Sequence, residues 1–185
     1  MKDRQYYLNL LCKNISNPKM IAHCLASEAV MRALAKRLNQ NEEVWGIAGL
    51  LHDIDVEQTE DNPQQHALLG AEILKTEGLP TDAIDAVKMH NEMATGQQRE
   101  TLFQHALAAG ETITGLIFAT ALVYPDRKIS SVKTKSVVKR MKEKAFAASV
   151  NRETIMECEL FGIPINEFAE LAIDALRPIE KELGF

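Results

Sequence analysis

Aromatic residues make up only 5% of this 185-residue chain, and several other features are scarcer still. Cysteine occurs three times, as Cys12, Cys24 and Cys158, an odd number without CxxC spacing. That argues against a disulfide framework and against a zinc ribbon. Positive charge is not in excess, with 21 Lys+Arg against 26 Asp+Glu and a net charge of −5. A general nucleic-acid binder needs a surplus of cations to hold phosphates, so nucleic acid is not an expected partner. The longest strongly apolar stretch, Gly115 to Val123, is far short of the roughly 20 residues of a membrane span, and no membrane contact is expected. The opening MKDRQYYLNLL lacks the apolar core and cleavage site of a signal peptide, which makes a cytoplasmic protein the expectation. Low-complexity tracts, internal repeats and Gly/Ser linkers are absent, and alternation of the β type is nearly so.

What remains is apolar residues at three- and four-residue spacing almost everywhere, in a chain that is 46% apolar. The expected fold is all-α, a single domain spanning 1–185. About nine helices are predicted, near 3–14, 17–39, 41–53, 63–77, 81–91, 100–123, 134–149, 151–161 and 164–183. Asn17-Pro18, Asn41 and Asn62-Pro63 supply capping side chains, with proline tolerated at the first helical position. Gly78 and Gly162 mark ends.

The histidines fall on the apolar stripes. His23 shares a face with Met20, Ser27, Val30 and Leu34, and His52 shares one with Trp45 and Ala48. His66 leads a stripe with Leu69, Gly70 and Ile73, and His90 ends one that contains Ala83 and Val87. Glu111 aligns with Ala108, Gly115 and Phe118. Five helices thus aim four histidines and two carboxylates (Asp53 and Glu111) inward. Each histidine alone is more simply read as a core residue hydrogen-bonded to a carbonyl. Together with the carboxylates, which are costly to bury singly, they suit a shared divalent cation such as Zn²⁺, Mn²⁺, Fe or Ni²⁺.

Leu50-Leu51-His52-Asp53-Ile54-Asp55 resembles the HD-domain superfamily of metal-dependent phosphohydrolases, in its small standalone HDIG-type members. His23, His66 in Gln65-His66-Ala67-Leu68-Leu69-Gly70, His90 in Met89-His90-Asn91-Glu92, and Ala109-Gly110-Glu111-Thr112 follow in the family's order over about residues 18–126. Residues 127–185 then form a helical extension. The resemblance implies one or two divalent ions, the first on His23, His52, Asp53 and Glu111, the second on Asp53, His66 and His90. It implies hydrolysis of a phosphate ester of a small metabolite or nucleotide by a metal-activated water, with Asp53 as a catalytic acid; Asp55, which departs from the motif, is a second catalytic candidate on its position alone. Mn, Fe, Ni, Co, Zn and Mg all remain admissible ions.

Two positions depart from the pattern. Asp55 stands where the motif has Gly, adding an acid near the metal. Glu111 stands where the family has Asp, so either α-helical backbone sits farther back or the carboxylate binds differently. That substitution motivates an alternative reading, a binding or regulatory module with an impaired site. A di-iron oxygenase on the same ligand set is a further alternative. No Gly-Tyr-Pro follows Met89-His90-Asn91-Glu92, so the marker of cyclic-dinucleotide phosphodiesterases is missing. The basic segment from Lys133 to Lys144 puts Lys135, Lys139 and Lys142 on one face, either a solvated surface or a phosphate-gripping rim that Arg152 extends. His105 and Cys24 point off the ligand stripes and are read as packing residues, and Asp126 as part of a solvated turn. Asp55 and Glu57 are each read as an acid supporting the ligands from behind, as a general acid/base group, or equally as part of a polar loop after the third helix.

Overall fold

Capping side chains fix where half of the helices begin. Asp3 accepts from the Tyr6 N–H, Asn17 from Lys19, Asn41 from Glu43 and Val44, and Asn151 from Glu153 and Thr154. Thr101 and Gln104 form a reciprocal capping box. The computed structural model describes all 185 residues, as ten helices without a strand. They are α1 (Arg4–Asn14), α2 (Pro18–Arg37), α3 (Glu42–Leu51), α4 (Leu68–Thr76), α5 (Thr81–His90), α6 (Glu92–Thr95), α7 (Leu102–Leu122), α8 (Thr134–Arg140), α9 (Arg152–Met156) and α10 (Ile165–Leu176).

Helix α7 is the axis of the bundle and packs against α2, α3, α5, α8, α9 and α10. By length and composition alone it is apolar enough to cross a bilayer, a longer apolar element than the Gly115–Val123 run. Of its most apolar window 61% is buried inside the chain, so core packing accounts for its character. One apolar cluster runs from Tyr7 to Leu183 and includes Ile129, Val137 and Ile155, so residues beyond 126 pack on the same core as the rest.

Three expected helices are shorter than their periodicity suggested. The fourth starts at Leu68 and leaves residues 63–67 as turns, with Ala67 in the left-handed region at φ 74°. The segment expected as 134–149 ends at Arg140, and the chain turns through 141–150. Arg152 holds that turn, its guanidinium donating to the carbonyls of Phe146, Ala147 and Val150. The last helix stops at Leu176, where Pro178 cannot continue an α-helical ladder.

Helices α2 and α3 approach closely because position 49 has no side chain. A Cβ there would lie 2.7 Å from the Ser27 carbonyl oxygen. Gly49→Ala is therefore expected to force the two helices apart and lower stability by about 1–3 kcal/mol, the usual cost of overpacking. Urea unfolding checks this, and an unchanged midpoint would contradict the tight contact. The same contact places His52 at the end of α3.

Candidate metal centre

Five segments bring ionisable side chains to one place. His23 comes from the second turn of α2, His52 caps α3, and Asp53 follows in the turn. His66 lies in the turn before α4, His90 is the last residue of α5, and Glu111 sits in the first half of α7. The His23 and His52 Nε2 atoms are 3.1 Å apart, and those of His66 and His90 are 3.2 Å apart. Asp53 lies between the two pairs. Its Oδ2 is 3.5 Å from His23 Nε2 and 3.3 Å from His52 Nε2, while Oδ1 is 3.2 Å from His66 and 3.3 Å from His90. Glu111 Oε2 stands 3.7 Å from His23 Nε2.

The opposite ring nitrogens are all committed. His52 Nδ1 donates to the Gly49 carbonyl at 2.9 Å and His90 Nδ1 to the Val87 carbonyl at 2.6 Å. His66 Nδ1 donates to Asp55 Oδ1 at 2.9 Å. The Thr114 hydroxyl donates its proton to the Glu111 carbonyl, so at 2.9 Å it accepts from His23 Nδ1. A neutral imidazole carries one N–H, so each ring presents a bare Nε2 lone pair to the site. Two lone pairs facing at this distance need a proton or a metal ion between them.

The donor set fits divalent ions. Two donors held at about 2.0–2.1 Å from one ion and 90–109° apart lie roughly 2.9–3.4 Å from each other, which matches each facing pair. His23, His52 and Glu111 form one group that can hold a cation, and His52, Asp53 and His90 form another. Acceptors behind metal-binding histidines fix the tautomer in this way.

Without metal, protons fill the gaps. Burial pushes His23 down to about 4, helped by the charge on His52. Burial opposes a charge on His52 too, but Asp53 outweighs it and raises that ring. At His66 burial is overcome by the hydrogen bonds to Asp53 and Asp55, which push it up to about 10. Burial likewise works against ionisation of Asp53, yet attraction to His52 and hydrogen bonds from His52, His66 and His90 hold its carboxyl well below the usual range. Glu111 is shifted upward, chiefly by burial. Each facing pair thus contains one ring that readily holds a proton.

Asp55, expected as a catalytic acid, is fully buried behind His66. One oxygen accepts from His66, and the other accepts from the Ala67 and Gly70 N–H groups, both at 2.8 Å. Its acceptors are spent on positioning and it does not line the cleft, so the structure favours the supporting-acid alternative over the catalytic one. Glu111 does not sit on a retreating helix, because a Cβ at Gly110 would meet Met31 Sδ at 2.9 Å. Its longer side chain bends instead, one oxygen bonded to the Thr112 hydroxyl and the other turned toward His23.

A cleft of ≈ 430 Å³ opens over His23, His90 and Glu111, walled by Glu92 and Arg99 on one side and by Ser149 and Thr154 on the other. Lys135, Lys139 and Lys142 are exposed and none of them lines it, so the structure does not bring the expected phosphate rim to the site. Lys139 instead approaches Glu143 at 3.7 Å. Arg152 is spent on its backbone carbonyls. His105 bonds Glu157, Cys24 is buried, Asp126 accepts from Ser131, and Glu57 caps the approach to α2 through Ser16 and Asn17.

Two participants escaped sequence reasoning. Thr114 has no family signal, although its i+3 offset from Glu111 puts both on one helix face. Arg99 is buried against Glu157, 58 residues away, and donates to the Met89 carbonyl at 3.0 Å, bracing the end of α5 beneath His90. No local pattern announces such a pair.

Comparison with known proteins adds three findings. The HD domain family model matches residues 20–122. A tRNA (cytidine(56)-2'-O)-methyltransferase of Thermoplasma volcanium is 29% identical over 156 residues, which cover 81% of this chain and 44% of that protein, so the chain spans less than half of this relative's length. No solved structure matches the chain. The family match takes in every residue of the converging cluster and more than half of the sequence, and on that ground the chain belongs to the HD-domain superfamily of metal-dependent phosphohydrolases.

Proposed function

We propose that this chain hydrolyses a phosphate ester of a small metabolite or nucleotide, using two divalent ions that share Asp53. The observation that carries the reading is the division of labour at Asp53, whose two oxygens face one histidine pair each. His23, His52, Glu111 and Asp53 Oδ2 would hold one ion, and His66, His90 and Asp53 Oδ1 the other. Divalent cations in such a site acidify water and offset charge that develops on phosphoryl oxygens. The chain's own contribution is order. Gly49, Val87, Asp55 and Thr114 lock the four rings with Nε2 forward, and the cleft admits a substrate over His23, His90 and Glu111. More than half of the Thermoplasma relative lies outside the match, so its named methyl transfer is assigned to no residue here.

Protein purified without chelator and supplied with Mn²⁺, Ni²⁺, Co²⁺ or Mg²⁺ is expected to release phosphate from some member of a phosphomonoester and nucleotide panel. The release should persist without oxygen, which separates hydrolysis from an iron oxygenase. Glu111→Gln keeps the shape and removes the charge, so metal content and turnover should fall together with the fold intact by circular dichroism. Wild-type metal content and turnover in that variant would remove Glu111 from the ligand set.

A further inference from the structure

The walls of the cleft are unusual for a site that handles phosphates, because they offer no uncommitted cation. Of the 21 Lys and Arg residues only Arg99 lines the cleft. Its Nε and Nη2 bond Glu157 at 2.9 and 2.6 Å, Nη2 also lies 3.2 Å from Glu92, and Nη1 donates to the Met89 and His90 carbonyls. All its donors are engaged within the protein. The negative side is richer, with Glu92 and Glu111 both lining the space.

Aromatic readers are missing as well. No Phe, Tyr or Trp lines the cleft, and its apolar lining is Met93 and Val150. Neutral hydrogen-bonding groups take their place. The hydroxyls of Ser149 and Thr154 make no hydrogen bond within the protein, while Asn151 commits its carbonyl oxygen to capping α9 and leaves its amide N–H groups free. Val150 sets this wall against α7, where a Cβ at Gly115 would lie 3.2 Å from Val150 Cγ2.

From these walls we infer that the substrate is a monophosphate ester of a small, neutral, hydroxylated group of the sugar or polyol kind. The inference rests on the phosphohydrolase reading and narrows it. Glu92 is paired with Arg99, so Asp53 and Glu111 offset half of the charge that two divalent ions bring, and one phosphate dianion completes the balance. Further phosphates would lie beside Glu92 with no cation to meet them, and such repulsion grows where water is displaced. A nucleobase would find no stacking surface and no apolar slot. Vicinal hydroxyls, by contrast, can donate to the Glu92 carboxylate and accept from Ser149, Asn151 and Thr154.

Ribose 5-phosphate, AMP and ATP share one sugar phosphate and separate these terms. With Mn²⁺-loaded protein, kcat/KM for AMP should not exceed that for ribose 5-phosphate, and ATP should be at least tenfold poorer. Thr154→Val and Ser149→Ala should each raise KM for ribose 5-phosphate about fivefold, the loss of one hydrogen bond, with kcat little changed. Calorimetric titration of the Mn²⁺-loaded protein with the same three compounds gives a readout independent of turnover. A tenfold preference for AMP or ATP, by either measure, overturns the inference while leaving the hydrolase reading intact. Tight binding of ribose 5-phosphate with no phosphate release overturns the hydrolase reading and upholds the recognition class. Neither binding nor turnover of any of the three overturns both.

Discussion

Asp53→Ala should strip the purified protein of both ions and abolish phosphate release. The expected fall in metal affinity is at least about 100-fold, the upper end of what losing even an outer supporting partner costs. The reason is geometric. Asp53 Oδ2 and Oδ1 serve different histidine pairs, so one substitution removes a donor from each position. His66→Ala or His90→Ala should cost one ion and leave the His23, His52 and Glu111 group filled. Elemental analysis after gel filtration reads both results. Full metal content in Asp53→Ala would refute the shared carboxylate, and loss of both ions in His66→Ala would refute two separable positions.

Asp55→Asn is the second large effect, and it acts without touching a metal. Asp55 accepts three N–H groups, from His66, Ala67 and Gly70. An asparagine in its place has one oxygen, which the two backbone groups claim. Its amide then faces His66 Nδ1 as a donor, and the ring must turn its remaining proton to Nε2. A protonated Nε2 still bonds Asp53 but cannot ligate an ion. The second ion should therefore bind about 10–100-fold more weakly, with the first unaffected and helix content unchanged. Nitrogen chemical shifts of the His66 ring should report the exchanged tautomer. An unaltered tautomer with unaltered stoichiometry would reduce Asp55 to a structural role.

Asp55 also explains why one helix start could not be read from sequence. Asn62-Pro63 looks like a cap, and His66, Leu69, Gly70 and Ile73 have helical spacing. The N–H groups at the true start are instead satisfied by a carboxylate 12 and 15 residues upstream, so α4 begins at Leu68. Capping from that distance leaves no trace in a local window. His23, His52, His90 and Glu111 were legible because their helices are amphipathic and polar residues stand out on apolar faces. The basic segment failed for the opposite reason. Val137, Val138, Met141 and Ala145 continue a helical period past Arg140, but Arg152 pulls the following carbonyls into a turn, and the lysines point to solvent away from the cleft. Tertiary partners overrode periodicity there, whereas at Pro178 the break is local, since proline cannot continue the ladder.

The ligands are scattered between His23 and Glu111, and the acceptors that orient them between Gly49 and Thr114. An unfolded or half-folded chain has nothing resembling this donor set, so ions bind the finished protein alone. By mass action, free metal at 100 times its dissociation constant then adds about 2.7 kcal/mol to the free energy of unfolding. On the proposed reading, scarcity of the ion would weaken the protein as well as silence it. Chains that lose their ions open more often and meet proteases more often. The standing amount of this protein would thereby be tied to the supply of its metal without a dedicated sensor, because the architecture that arranges the ligands is the one the ions would hold closed.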